Sequence, residues 1–300
     1  MLKIAWNSLY AHPLPQGHRF PMEKYNLIPE QLLYEGTISE DNIHQPKFLD
    51  EEIILLAHDK SYWHHLQEGK LTTKEIRKTG FPWSRQLVKR EISIAQGTID
   101  LSLHALQYGI GLNVAGGTHH AYKDRGEGFC LLNDFAMASL YCLKANLAKQ
   151  ILIVDLDVHQ GNGSAVIFEN KPDVFTFSMH GANNYPLYKE KSDLDIALPD
   201  KTGDEEYLKI LYVQLPELID RLQPDLIFYQ SGVDVLATDK LGRLGLTIAG
   251  CKKRDEFVLR TCKQNDIPVV VSMGGGYSKK LADIVEAHSN TFRLAADIYF

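Results

Sequence analysis

The chain has 300 residues, of which 44% are hydrophobic and 23% are charged, and its formal net charge is −6 at pH 7. A chain of this length can bury a large core, and we expect a single α/β domain over residues 1–300. The negative charge and the lack of long basic runs argue against direct nucleic-acid binding through phosphate contacts. The densest basic stretch, Lys252-Lys253-Arg254, is predicted to be solvated near the start of a helix.

Export, membrane insertion and disulfide bonding are not expected from this sequence. The first ten residues, MLKIAWNSLY, lack the long apolar core of a signal peptide, and no stretch approaches the roughly 20 apolar residues that span a bilayer. Cys130, Cys142, Cys251 and Cys262 form no C-x-x-C pair, which argues against disulfides and a thiolate metal cluster. We therefore expect a soluble, cytoplasmic protein with reduced cysteines and no membrane partner.

Short apolar runs alternate with helical patterns along the chain. This alternation predicts a parallel α/β sheet with helices on both faces, and unbroken Val/Ile/Leu runs are typical of strands buried on both sides. No Gly/Ser-rich or Pro-rich linker marks a domain boundary. The predicted strands are Leu2–Trp6, Gly111–Ala115, Ile151–Leu156, Val174–Ser178, Leu226–Gln230 and Pro268–Ser272. The predicted helices are Glu51–Glu68, Leu87–Leu106, Phe135–Ala145, Tyr207–Leu222, Lys252–Asn265 and Lys279–His288.

Reactive side chains follow most of the predicted strands. The residues after five of these strands read, in chain order, GGTHH, DVH, MHG, SGVD and MGGGY. In an open parallel sheet, ligands bind outside the carboxyl ends of the strands, where residues distant in sequence come together. The pattern therefore predicts one active site at that edge of the sheet.

A candidate metal site combines one D-x-D-x-H segment with a distant carboxylate. Asp155, Asp157 and His159 alternate, so an extended backbone would direct their side chains to one side. Asp234 follows another strand in SGVD. Two carboxylates and one imidazole form a complete protein ligand set for a catalytic zinc ion that keeps an open position. The alternative for a D-x-H segment alone is a strand end whose carboxylates cap the next helix.

A histidine pair and a tyrosine complete the candidate catalytic groups. His119-His120 follows two glycines at a strand end, where one imidazole can act as a general base. His64-His65 lies in a predicted helix and reads as a surface or packing pair. Tyr277 follows three glycines and is a plausible donor to an oxyanion, although a tyrosine in such a loop can simply pack its ring.

Two further segments allow both a structural and a functional interpretation. Gly126–Cys130 is compatible with a simple turn, or with a loop that makes Phe129 one wall of a narrow apolar channel. Ser178 and His180 fit a place in the core or loop as well as a functional role.

Several motifs together resemble the zinc-dependent histone deacetylase family, which shares its fold with arginase. They are, in order, GGTHHAY, GFCLLND, DLDVHQGNG, FSMHG, SGVDVLATDKLGRLGLT and GGGYS. GHRFPMEKY, GFPWS and the GGT before the histidine pair are most similar to class IV deacetylases and their bacterial relatives. The resemblance implies the three-layer arginase/deacetylase fold and the hydrolysis of acyl-lysine amides in a peptide or protein substrate.

The resemblance also implies a metal and its catalytic partners. Asp157, His159 and Asp234 would hold one zinc ion, in a ligand set that iron(II) can also occupy. His120 would be the general base and then the general acid, and Tyr277 would polarise the acyl carbonyl.

Supporting roles follow from the same resemblance. Asp155 would orient His119, the electrostatic partner of His120. Asn162 would be the partner of His120, at a position where some family members carry Asp. Phe129 and Leu241 would line the acyl-lysine tunnel, with the backbone of Gly128 near the scissile amide. A potassium site would use the side chains of Asp155 and Ser178 with the carbonyl groups of Asp157, His159 and Met179.

Three other functions remain open at this point. Arginase-like hydrolases use two manganese ions and extra carboxylates, but Val235 follows Asp234 and residue 162 is an amide, so one metal is favoured. A non-catalytic acyl-lysine binder is a second alternative, and it is disfavoured because all the candidate catalytic groups are present. A small-molecule hydrolase, acting for instance on acetylpolyamines or linked to acetoin use, is a third. The sequence does not determine acyl-chain length, substrate protein, oligomeric state or the presence of histones in the host.

Overall fold

A computed structural model describes residues 1–300. Eight strands form one sheet in which every neighbouring pair is parallel. The strands are β1 (Ile4–Ala5), β2 (Ile43–His44), β3 (Ile110–Asn113), β4 (Ile151–Asp155), β5 (Val174–Gly181), β6 (Leu194–Leu198), β7 (Leu226–Gln230) and β8 (Val269–Ser272). Their order across the sheet is β2-β1-β3-β8-β7-β4-β5-β6. The predicted parallel α/β fold is confirmed.

Ten helices pack around this sheet. They are α1 (Lys24–Tyr34), α2 (Glu51–Ala57), α3 (Lys60–Glu68), α4 (Thr73–Thr79), α5 (Arg85–Tyr108), α6 (Asp134–Lys144), α7 (Asn162–Phe168), α8 (Asp204–Leu222), α9 (Ile248–Gln264) and α10 (Leu281–Tyr299). None of these helices is both long enough and apolar enough to cross a membrane.

The central strands explain why the apolar runs were visible in the sequence. Every residue of β3, β4, β7 and β8 is buried, because helices cover both faces of the sheet. The four cysteines are buried, and none of them is paired. The carboxyl ends of these central strands meet at one edge, where the loops that carry the candidate site begin.

Two strands and three helices escaped prediction. The unpredicted strands are β2 and β6. β2 has only two residues, and β6 is an edge strand with exposed Asp195 and Ala197, so neither forms an apolar run. β1 was predicted, but it is shorter than expected, with two residues. The unpredicted helices are α1, α4 and α7. α1 contains Pro29, while α4 and α7 have seven residues each, too few for a clear helical period.

The predicted helix Glu51–Glu68 is wrong as one element, because the chain breaks at His58 into α2 and α3. His58 has an extended backbone, with φ −122° and ψ 146°. Its ring contacts two other segments: Nδ1 donates to the carbonyl oxygen of Tyr122 at 2.9 Å, and Nε2 accepts from the backbone nitrogen of Asn133 at 2.9 Å. These long-range contacts override the local helical pattern.

The basic stretch in α9 also differs from its prediction. α9 begins at Ile248, so Lys252-Lys253-Arg254 lies within the helix and not at its start. Lys252 and Lys253 are exposed as expected, but the side chain of Arg254 is completely buried. At the end of the chain, α10 extends to Tyr299, well beyond the predicted His288.

Candidate active site

Three buried side chains form a candidate metal centre at the carboxyl edge of the sheet. Asp157 and His159 lie in the loop after β4, and Asp234 lies in the loop after the adjacent strand β7. One ligand atom from each residue lies within 4.8 Å of the others. His159 Nδ1 is 3.0 Å from Asp157 Oδ1 and 3.1 Å from Asp234 Oδ2. The sequence predicted this grouping, but β4 ends at Asp155, so an irregular loop and not strand alternation places Asp157 and His159.

The chemistry of this cluster fits a divalent cation. Asp234 Oδ2 is buried, and its contact with His159 Nδ1 is close in distance but does not have hydrogen-bond geometry. Burial and the neighbouring Asp157 raise the pKa of Asp234 to about 7. Burial opposes a charge on His159, but its contacts with Asp157 and Asp234 raise the pKa of the imidazole to about 10. Two carboxylates that compete for one protonated ring indicate a centre that needs positive charge, which a metal ion would supply.

Gly275 leaves the room that this centre requires. A Cβ atom at this position would collide with Asp234 Oδ2 and lie 2.9 Å from Asp157 Oδ2. The backbone nitrogen of Gly275 instead donates to Asp157 Oδ2 at 2.7 Å. The predicted glycine-rich loop therefore contacts the candidate ligands directly.

His119 and His120 form a second buried cluster beside the first. His119 Nδ1 lies 2.6 Å from Asp155 Oδ2, His120 Nδ1 lies 2.6 Å from Asn162 Oδ1, and the two Nε2 atoms are 3.1 Å apart. Burial opposes a charge on His119, but Asp155 raises its pKa above the usual value. Burial and the adjacent His119 lower the pKa of His120 well below its usual range. His120 is therefore neutral at pH 7 and able to accept a proton.

Tyr277 is held in place through the backbone of its loop. Its nitrogen donates to Asp239 Oδ2 at 2.6 Å, and Lys24 Nζ donates to the carbonyl oxygen of Gly274 at 3.2 Å. Burial raises the pKa of the Tyr277 phenol well above its usual value, so the hydroxyl keeps its proton and can donate a hydrogen bond. Burial lowers the pKa of Lys24 to about 8.

A cavity of about 330 Å³ leads from the surface to these groups, and its lining includes His120, His159 and Tyr277. The predicted tunnel residues Gly128, Phe129 and Leu241 also line it. Gly128 and Phe129 adopt left-handed φ angles of 53° and 68°, and their nitrogens donate to carbonyl groups at the end of α4. This turn places the Phe129 ring 5.8 Å from that of Tyr277, so Phe129 forms an apolar wall.

A smaller cavity, of about 40 Å³, continues below the histidine pair and the metal centre. Phe20, Tyr25 and Arg90 contribute to its lining. Arg90 is buried and paired with the adjacent Glu91. The space is sufficient for a few small groups at the closed end of the cavity.

The sequence of this chain matches the family model of the histone deacetylase domain over residues 18–292. The chain belongs to the histone deacetylase family.

Similar proteins align over most or almost all of this chain. An uncharacterized protein of Picosynechococcus sp. is 44% identical over 99% of both chains. Histone deacetylase 2 of Arabidopsis thaliana is 28% identical, over 89% of this chain and 72% of the relative. The acetoin utilization protein AcuC of Staphylococcus aureus is 25% identical, over 90% of this chain and 75% of the relative.

A solved structure shows the same fold. The crystal structure of the HDA15 HD domain superposes with a TM-score of 0.82 at 21% identity, covering 96% of this chain and 89% of that chain. Membership of the family makes this protein a hydrolase of acetyl amides.

The predicted potassium site shares Asp155 with the catalytic cluster of this deacetylase-family protein, whereas the second histidine pair lies outside that cluster. Asp155 and Ser178 are register partners on the adjacent strands β4 and β5. The Ser178 hydroxyl is 2.9 Å from His180 Nδ1, which offers a structural role for both side chains. The potassium site therefore stays a prediction. His64 and His65 lie on α3, half-buried and exposed respectively, and take no part in the site.

Sequence reasoning missed four polar residues around the deacetylase site: Lys24, Tyr122, Glu190 and Asp239. Lys24 and Asp239 position the Tyr277 loop. Tyr122 and Glu190 continue the hydrogen bonds of Asn162. Asp239 and Tyr122 lie within recognised motifs, so a polar residue beside a catalytic motif was an available signal. Lys24 lies within GHRFPMEKY, so the same signal was available for it. Glu190 lies in none of the quoted motifs and reaches the site only through long-range packing.

Proposed function

We propose that this protein removes acyl groups from lysine side chains of peptides or proteins, with one zinc ion at Asp157, His159 and Asp234. The observation that carries this proposal is the convergence, in the lining of one cavity, of a neutral imidazole, a protonated phenol and His159, which belongs to the cation-binding trio. His120 and Tyr277 both line that cavity. A substrate carbonyl that enters it would meet all three at once.

The side chains divide the hydrolysis between them. When bound, zinc supplies Lewis-acid polarisation of the acyl carbonyl and activation of water. His120 removes a proton from the attacking water and then delivers it to the departing lysine amine. The Tyr277 hydroxyl donates a hydrogen bond to the carbonyl oxygen, which becomes negative during the reaction. The products are a free lysine side chain and a carboxylic acid.

The mouth of the cavity supports a peptide over a polyamine. Every formally charged Lys, Arg, Asp or Glu side chain in its lining is basic, namely Arg19, Lys78 and Arg243. Arg19 has no carboxylate partner, and its guanidinium lies 4.9 Å from the centre of the Phe129 ring. Lys78 and Arg243 each pair with a carboxylate, so Arg19 is the cation left to repel a second ammonium group on a polyamine, which would also meet the uncharged Leu241. The uncharged stem of an acyl-lysine gains from the same apolar contact.

A small-molecule acetylamine hydrolase is the second candidate, favoured by the similarity to AcuC. The deciding experiment measures kcat/KM of the zinc-loaded protein for an acetyl-lysine peptide, for peptides with longer acyl groups, and for acetylspermidine. We expect at least one peptide to be the best substrate. Preference for acetylspermidine would refute the peptide assignment but not the amide hydrolysis, and inactivity on every substrate would favour a non-catalytic binder.

A further inference from the structure

Four side chains form a hydrogen-bonded chain that runs outward from His120. His120 Nδ1 is 2.6 Å from Asn162 Oδ1, and Asn162 Nδ2 donates to the hydroxyl oxygen of Tyr122 at 2.9 Å. The Tyr122 hydroxyl in turn donates to Glu190 Oε1 at 3.1 Å. The first three side chains are buried and Glu190 is half-buried at the outer end.

The amide at position 162 creates an ambiguity that a carboxylate would not. An ionised Asp could only accept, so it would force the hydrogen of His120 onto Nδ1. An Asn can face the ring with either its oxygen or its NH₂ group. In the second orientation His120 would carry its hydrogen on Nε2, and Nε2 could no longer accept a proton from water. Two neighbours can bias this choice: His119, whose Nε2 lies 3.1 Å from His120 Nε2, and the groups beyond Asn162, which act on the amide itself.

The outer end of the chain provides that selection. An ionised carboxylate only accepts, so Glu190 requires the Tyr122 hydroxyl to donate outward. The lone pairs of that hydroxyl then face Asn162 Nδ2, which turns the amide oxygen towards His120.

Glu190 and Tyr122 are themselves held in place. The side chain of Gln160 brackets the Glu190 backbone: Oε1 accepts from its nitrogen at 2.9 Å, and Nε2 donates to its carbonyl oxygen at 2.7 Å. The guanidinium of Arg125 stacks 3.5 Å from the centre of the Tyr122 ring.

We propose that Glu190, acting through Tyr122 and Asn162, sets the tautomer of His120 and keeps the lone pair on Nε2. Glu190 and Tyr122 are positioning residues, and the inference rests on the proposed role of His120 as the general base. Their effect is directional: each hydrogen bond points from His120 towards the carboxylate.

Glu190→Gln tests the direction, because a glutamine can donate to Tyr122 and allow the chain to reverse. We expect this change to lower kcat on the acyl-lysine peptide about 10-fold or more, the scale for losing the partner that orients a catalytic histidine. In an Asn162→Asp background the same change should alter kcat less than about 2-fold, because a carboxylate sets the tautomer by itself. Glu206→Gln, an exposed carboxylate on α8, is the matched control. Equal losses in both backgrounds, or no loss in either, would overturn the proposal.

A spectroscopic readout separates this inference from the proposed substrate. ¹⁵N chemical shifts of the His120 ring, recorded on metal-free protein, should show the Nδ1–H tautomer in the wild type and a mixture in Glu190→Gln. Tyr122→Phe removes only the hydroxyl and should give the same mixture, which covers the case in which Glu190→Gln fails to fold. An unchanged tautomer in both variants refutes the inference even if peptides are hydrolysed. The expected tautomer change without any peptide hydrolysis supports the inference and refutes the substrate.

Discussion

Arg254 and Asp255 form an ion pair in which both side chains are completely buried, with 2.8 Å between nitrogen and oxygen. Arg254 also donates to the carbonyl oxygens of Leu156 and Gly232, in the loops that follow β4 and β7. These two loops carry all three candidate metal ligands. The pair therefore connects the loops of the metal centre to α9.

Breaking this pair is expected to destabilise the fold strongly. Arg254→Met leaves a buried carboxylate without its partner, which costs about 3–5 kcal/mol in the free energy of unfolding. Arg260→Met, which breaks an exposed pair with Glu256 on the same helix, should cost no more than about 1 kcal/mol. Urea denaturation monitored by circular dichroism measures both. Similar costs for the two variants would contradict a structural role for the buried pair.

One tightly bound divalent metal per chain is expected at the candidate centre. Asp234→Ala should lose most of that metal, because Asp234 provides the only candidate ligand on the loop after β7. Asp200→Ala, at an exposed position, is the control. Elemental analysis of the purified proteins gives the number of metal ions per chain. Two metals per wild-type chain would instead support an arginase-like centre, and full retention in Asp234→Ala would exclude this ligand.

Loss of the proposed base or donor should affect turnover more than folding. His120→Ala and Tyr277→Phe are each expected to lower kcat by at least roughly 10²-fold while metal content stays unchanged. His65→Ala and Tyr188→Phe make the same chemical changes at exposed positions and should retain activity. Steady-state kinetics on an acyl-lysine peptide checks all four. Near-normal turnover in either site variant means that its assigned role is wrong.

Leu241 is expected to contribute to the choice between peptide and polyamine. Leu241→Glu places a carboxylate at the basic mouth, where it can attract a second ammonium group, so kcat/KM should shift towards acetylspermidine. Leu241→Gln has the same length without the charge and should not produce that shift. If the two variants behave alike, Leu241 acts only through packing.

Stability is expected to depend on pH through His58. Burial lowers the pKa of this imidazole to about 4, from a usual value of 6.5. Below pH 6.5 the His58 imidazole binds a proton in the unfolded chain but not in the folded protein, so the free energy of unfolding decreases as the pH falls towards 4. The contribution is up to about 1.4 kcal/mol per pH unit.

His58→Gln should flatten this dependence between pH 6.5 and pH 4 relative to the wild type. His12 and His180 also have pKa values lowered to about 4 by burial, so only the difference between the two slopes belongs to His58. His65→Gln, at an exposed position, is the control. Urea denaturation at several pH values gives the slopes, and equal slopes for wild type and His58→Gln would contradict the assignment.

Local sequence patterns were sufficient to predict the fold class, and they grouped the candidate site residues at one edge of the sheet. Strands covered on both faces must be apolar throughout, and the polar residues that end them are forced to one edge of a parallel sheet. This is why Asp157, His159 and Asp234 could be grouped although they lie in loops after two different strands. The same reasoning placed His119-His120 and Tyr277 beside them.

Contacts between polar groups far apart in the chain could not be predicted from local patterns. The break at His58, the burial of Arg254 and the contact of Tyr122 with Glu190, 68 residues apart, leave no periodic signal. Each depends on a partner that reaches the group only when helices and loops have packed. A hydrogen bond or a buried ion pair is stable only when its two groups have one specific distance and orientation. Hydrophobic burial has no such directional requirement, so it leaves a repeating pattern along each helix or strand.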